Sequence, residues 1–99
     1  MRDSNTRIYK YKIDVLDRQI IKMPRVERFL SVGEQDDDLY IWAQVDSRPD
    51  AKLHDLILEI IGTGRPILEL GIDDEFRQRV YIGTVQTRQG WVWHVFHLR

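Results

Sequence analysis

Ala51-Lys52-Leu53-His54-Asp55-Leu56-Ile57-Leu58-Glu59-Ile60-Ile61 is the stretch on which the fold class turns. Leu53, Leu56, Ile57, Ile60 and Ile61 fall at helical spacing, with Ser47 or Asp50 able to cap, Pro49 near the start and Gly62 just past the end. The run from His54 to Ile61 is equally a series of strand formers, with Leu56, Leu58 and Ile60 on one face, and such a strand could be buried on both sides. A helix here would make the domain mixed, whereas a strand would make it all β. The strand reading leads, with a helix near 51–61 as the alternative.

Moving toward the carboxyl end, Gly62-Thr63-Gly64-Arg65-Pro66 breaks the chain, and Ile67 to Arg77 forms a longer connection with an acidic turn at Asp73-Asp74-Glu75. Arg79 to Gln86 and Trp91 to Leu98 then flank Thr87-Arg88-Gln89-Gly90, a hairpin signature. In the last strand Trp91, Trp93, Val95 and His97 share one face, and Val92, His94, Phe96 and Leu98 share the other. Two largely apolar faces predict a central or covered strand.

Toward the amino end, Arg28 to Gln35 and Leu39 to Val45 read as another hairpin with Asp36, Asp37 and Asp38 at its tip. Gln19 to Met23 is a short strand stopped by Pro24. Arg7 to Asp14 alternates, with Ile8, Lys10 and Lys12 on one side and Tyr9, Tyr11 and Ile13 on the other, as in an edge strand whose lysines discourage pairing with another molecule. Residues 1–6 are expected to be a flexible terminus. These elements predict a mainly β domain, residues 1–99. Its form is a compact antiparallel sheet, small sandwich or partly open barrel of six to seven strands.

Ninety-nine residues suit one core, and 42% hydrophobic content is enough to form it. So small a core leaves a thin margin, and self-association through an apolar sheet face is expected to add to it. Fifteen basic against sixteen acidic residues give a formal charge of −1, so general nucleic-acid or membrane attraction is not expected. That sum hides the distribution, and a local basic patch is compatible with it. The absence of cysteine removes disulfides, thiolate zinc sites and cysteine nucleophiles, and fits a reducing cytosol. The polar start MRDSNTRIYKYK lacks the apolar stretch of an export leader, and no apolar run approaches the roughly 20 residues of a spanning helix, so a soluble protein is expected.

Chemistry-bearing patterns are few. Gly62-Thr63-Gly64-Arg65 could hold an anion such as a phosphate on backbone amides and a guanidinium, although a structural turn with glycines at positive φ is the more economical reading. It lacks the third glycine of the dinucleotide fingerprint and the Lys-Ser/Thr of a phosphate loop. Trp42 and Trp93 are the aromatic rings assigned to a ligand beside that turn, while most other rings must fill the core. His94 and His97, three apart on a strand, point to opposite faces and cannot share a metal, and His54 has no ligand-like spacing to either. Neither acidic triplet has the spaced oxygens of a calcium loop, and no serine or threonine has a nucleophile-elbow context. No catalytic residue, metal or cofactor is expected.

Taken in order, Ile8-Tyr9-Lys10-Tyr11, Asp17-Arg18-Gln19, Ile41-Trp42-Ala43-Gln44-Val45-Asp46, Gly62-Thr63-Gly64-Arg65-Pro66-Ile67, Tyr81-Ile82-Gly83-Thr84-Val85-Gln86 and Val92-Trp93-His94-Val95-Phe96 resemble a family of short uncharacterised proteins of tailed bacteriophages. Where that family carries histidine in the glycine turn, this chain has Arg65. The resemblance implies an accessory protein acting in the host cytoplasm. The leading expectation is a non-enzymatic, stoichiometric inhibitor or adaptor of a host or defence protein. The alternatives are a binder that sequesters a small nucleotide-type anion and a minor virion or assembly component.

Overall fold

The computed structural model describes residues 5–67 and 77–99. They form seven strands: β1 (Thr6–Ile13), β2 (Arg18–Pro24), β3 (Val26–Gln35), β4 (Asp38–Asp46), β5 (Leu53–Gly62), β6 (Arg79–Gln86) and β7 (Val92–Leu98). All pairings are antiparallel, in a three-stranded sheet β1-β4-β3 and a four-stranded sheet β2-β5-β7-β6. The arrangement is a small two-sheet β protein and not a closed barrel. Among the described residues there is no helix, hence none long and apolar enough to cross a membrane.

The segment 51–61 is therefore a strand, and the helix alternative is overturned. Its helical stripe fails at Leu53, which is exposed, while Leu58 and Ile60 on one face and Glu59 and Ile61 on the other are all buried. With β2 on one edge and β7 on the other, pairing satisfies the backbone on both sides, and this tertiary context overrides the weak helical periodicity. The acidic turn expected at 73–75 lies outside the described residues, as do residues 1–4 of the expected flexible terminus. Thr6, by contrast, already pairs with Asp46, so ordered structure starts inside the expected 1–6 tail.

Both hairpins form where turn chemistry allows. Asp36 and Asp37 take φ of 54° and 69°, the two left-handed positions of a two-residue hairpin turn, and Asp38 already belongs to β4 opposite Gln35. Gly90 supplies φ of 91° in the turn before β7, where its amide donates to the Thr87 carbonyl at 2.9 Å.

The core lies between the sheets. Leu39, Ile41, Ala43 and Val45 project inward from β4: Leu39 and Ile41 pack with Leu58 and Ile60 of β5, Val95 of β7 and Val85 of β6, while Ala43 and Val45 form a second cluster with Met23 of β2. Removing a buried side chain of this kind typically costs about 2–5 kcal/mol. The sheets approach each other most closely where β6 lacks a side chain: a Cβ at Gly83 would sit 3.3 Å from Val32 Cγ2. Two register shifts in β3, between Val26 and Arg28 and between Phe29 and Ser31, keep Val26, Phe29 and Val32 facing inward although their spacing is three.

Candidate functional site

One end of the molecule collects three turns. Between β1 and β2, the Gln19 side chain accepts from the Asp14 amide at 3.0 Å and donates to the Asp14 carbonyl at 2.6 Å. The Leu16 amide also donates to that carbonyl at 2.9 Å. With its polar groups used internally, this turn holds Val15 and Leu16 outward, 51% and 53% exposed. After β5, the Arg65 amide donates to the Gly62 carbonyl at 3.0 Å, and Gly64 takes the left-handed φ of 85° that this turn requires. Before β7, the Trp91 amide donates to Thr87 Oγ1 at 3.1 Å, and the Trp91 ring stacks on Trp93 with centroids 6.3 Å apart.

Two adjoining clefts open there. The larger, about 360 Å³, runs from Leu16 and Ile60 to Gly62, Arg65, Pro66 and the Trp93 ring. The smaller, about 290 Å³, lies on the other side of Val15 and Trp93 and reaches Trp91, Thr87 and Glu34. Trp93 packs so closely on β5 that a Cβ at Gly62 would meet its Cζ3 at 3.1 Å, and it thereby forms the wall common to both clefts. Arg65 is exposed and has no ion-pair partner among the described residues, which leaves its five N–H donors available at the rim.

Of the residues expected to hold a ligand, Gly62, Arg65 and Trp93 come together here. Gly64 serves the turn: nothing lies within 4 Å of where its Cβ would be. Thr63 points away from the cleft, to the opposite face of β7, where its hydroxyl shares a 2.8 Å hydrogen bond with His94 Nε2. His94 Nδ1 meets Thr84 Oγ1 at 2.9 Å, and Thr84 in turn bonds Tyr81. A neutral imidazole that donates from one nitrogen and accepts at the other satisfies both contacts, so His94 ties β5, β7 and β6 together. Trp42 is not at this end at all. It lies on β4 of the other sheet, beside Tyr40 at 6.0 Å between centroids. The misplacement is one of long-range topology, since nothing local distinguishes Trp42 from Trp93.

Val15, Leu16 and Pro66 are contributors that sequence reasoning missed. The available signal was the apolar pair Val15-Leu16 inside a turn bounded by Asp14 and Asp17, where solvated residues are the norm. Among the described residues no group of three metal-ligating side chains occurs. His97, on the inner face of β7, packs on Phe29 at 4.7 Å between centroids. Burial, followed by the charge of Arg99, holds its imidazole below the ordinary value.

Fold and site together define a seven-stranded, two-sheet β protein with a tryptophan-walled cleft at one end. By its sequence, the chain belongs to the family described as a domain of unknown function, DUF7352, whose model matches residues 4–99. No curated protein and no solved structure matches it.

Proposed function

We propose that this protein is a non-enzymatic binding module that engages its partner through the tryptophan end. The observation that carries the reading is the concentration there of exposed apolar side chains, Trp91 at 61%, Leu16 at 53% and Val15 at 51%, with Arg65 at their border. Exposing such groups costs solvation, and contiguous apolar exposure on a small domain marks a contact surface. Tryptophan and arginine are the residue types that most often dominate binding energy. The partner we infer is a host or defence protein met in the cytoplasm of a phage-infected bacterium, and the supporting argument for that setting is the likeness to short tailed-phage proteins. Native mass spectrometry of the protein purified from infected cells tests it: wild type is expected to carry an additional protein subunit that Trp91→Ala and Leu16→Ser lose while remaining folded. Partner retention unchanged in both variants would rule out this surface.

A second reading rests on the convergence of Gly62, Arg65 and Trp93 on the 360 Å³ cleft, a size at the lower end of small-molecule sites. In that case the cleft holds a nucleotide-type anion, the ring on Trp93 and the phosphate on Arg65. The same spectrum would then show a small retained mass, absent from Arg65→Ala.

A further inference from the structure

The outer face of the three-stranded sheet is a second surface with a distinct chemistry. Alternation on β4 sends Tyr40, Trp42 and Gln44 away from the core, opposite to the buried Leu39, Ile41 and Ala43. The register sets Lys12 beside Tyr40, Lys10 beside Trp42 and Ile8 beside Gln44 on β1; on β3 it sets Gly33, Ser31 and Arg28 beside the same three residues. Two aromatic rings thus occupy the middle of the sheet, with lysines along one flank and two of the smallest residues along the other.

Packing holds the rings in place. Trp42 reaches over Gly33, where a Cβ would lie 3.3 Å from its Cζ3, and Tyr40 carries Lys10 Nζ 4.6 Å from its ring centroid. Shielding a glycine backbone accounts for one side of Trp42. It does not account for the cations. Lys10 donates to the neutral Gln35 Oε1 at 2.5 Å, and neither Lys10 nor Arg28 has a carboxylate partner among the described residues. The carboxylates nearest in register stand at the two ends of the central strand and are engaged: Asp38 with Lys12 at 3.6 Å, and Asp46 with Arg48.

We propose that this face binds single-stranded nucleic acid, with bases stacking on Trp42 and Tyr40 and the phosphate backbone running along Lys10 and Lys12. Base stacking on sheet-borne rings flanked by cations is a general solution for single strands, because every base has a π face and every linkage a charge. The near-zero net charge is no obstacle, since Lys10 stands beside the rings without a carboxylate partner among the described residues and the nearest carboxylates, Asp38 and Asp46, are engaged at the ends of the strand. The binding is expected to be weak, tolerant of sequence and sensitive to salt.

Fluorescence anisotropy with labelled single-stranded DNA and RNA homopolymers, and with a duplex, at about 50 mM salt tests this. Wild type is expected to bind the single strands better than the duplex, and the tighter of the DNA and RNA arms identifies the preferred sugar. Trp42→Ala should weaken binding about 5- to 150-fold, with partial recovery in Trp42→Phe. Lys10→Glu, at an exposed position that leaves the fold intact, should weaken it and flatten its salt dependence. Absence of binding by wild type, preference for the duplex, or unchanged affinity in Lys10→Glu would overturn the proposal. Loss on Trp91→Ala with retention in Trp42→Ala would also overturn it, by moving the contact to the tryptophan end.

Discussion

On the outer face of the four-stranded sheet Glu59 is fully buried and held by two arginines, Arg18 Nη2 at 3.1 Å and Arg79 Nε at 2.5 Å. On the outer face of the three-stranded sheet, Lys10 and Lys12 stand in solvent beside Tyr40 and Trp42. Both are charges set on a β ladder. They differ in the cost of removing them from water, which is several kcal/mol for a buried carboxylate and close to nothing for an exposed ammonium. Glu59 must therefore be neutralised by fixed partners, whereas Lys10 can stand without a carboxylate and Lys12 with only an exposed one. The first arrangement serves stability and specificity of pairing, and the second keeps its charge in contact with solvent.

The comparison is broken most severely at Glu59. Removing it leaves a buried void and takes from Arg18 and Arg79 the carboxylate they share, and breaking a buried pair in this way typically costs about 3–5 kcal/mol. Arg18 and Arg79 side chains retain 36% and 17% exposure, so the lower end, about 3 kcal/mol, is expected for Glu59→Ala. Urea denaturation measures it, and a loss below about 1 kcal/mol would mean the pair is mostly solvated.

Acid should expose the same asymmetry. Burial alone would raise the Glu59 carboxyl, but hydrogen bonds from Arg79 and Arg18, with their charges, outweigh it and hold the group below its ordinary value of 4.5. A carboxyl depressed by folding contributes stability above its unfolded pKa, and that contribution is lost as pH falls through the folded pKa. His97, depressed below 6.5, has the same sign in a higher window: the folded state favours the neutral ring, so stability begins to fall as pH drops below 6.5. Melting temperature against pH is expected to decline in two stages. His97→Phe should remove the upper stage and Glu59→Gln the lower.

The smallest effects belong to the exposed pairs. Lys12 with Asp38 at 3.6 Å and Lys22 with Asp55 at 2.8 Å are more than two-fifths exposed on every partner. Lys12→Ala and Lys22→Ala should each change stability by less than about 1 kcal/mol. If either variant matched Glu59→Ala in the same denaturation series, burial would not be what separates the two kinds of charge.

How much of this could be read from the chain depends on whether the determining contacts are local. The β6–β7 hairpin is legible because Gly90 and the flanking strand formers lie within a few residues of one another, and the β3–β4 hairpin because Asp36 and Asp37 suit left-handed positions. The shifts in β3 are not legible, since only pairing with β4 shows that Val26, Phe29 and Val32 share a face. Glu59 reads in sequence as a solvated charge interrupting an apolar run. Its burial depends on Arg18, 41 residues away, and on Arg79, 20 residues away. The candidate site divides along the same line. Gly62 and Arg65 are neighbours in one turn, and β7 delivers Trp93 to them, but excluding Trp42 from that group needed knowledge of which sheet each strand joins.

β1 and β2 are consecutive, yet β1 is the edge of one sheet and β2 the edge of the other. The four residues between Ile13 and Arg18 consequently cross from sheet to sheet, and the amino-terminal arm spans the sandwich like a clasp. Its partners lie far along the chain, so closing it is entropically costlier than forming either hairpin. The arm should be the last part to dock and the first to open. Hydrogen exchange is expected to show the amides of β1 and β2 losing protection as one unit while β7, paired on both edges, remains closed.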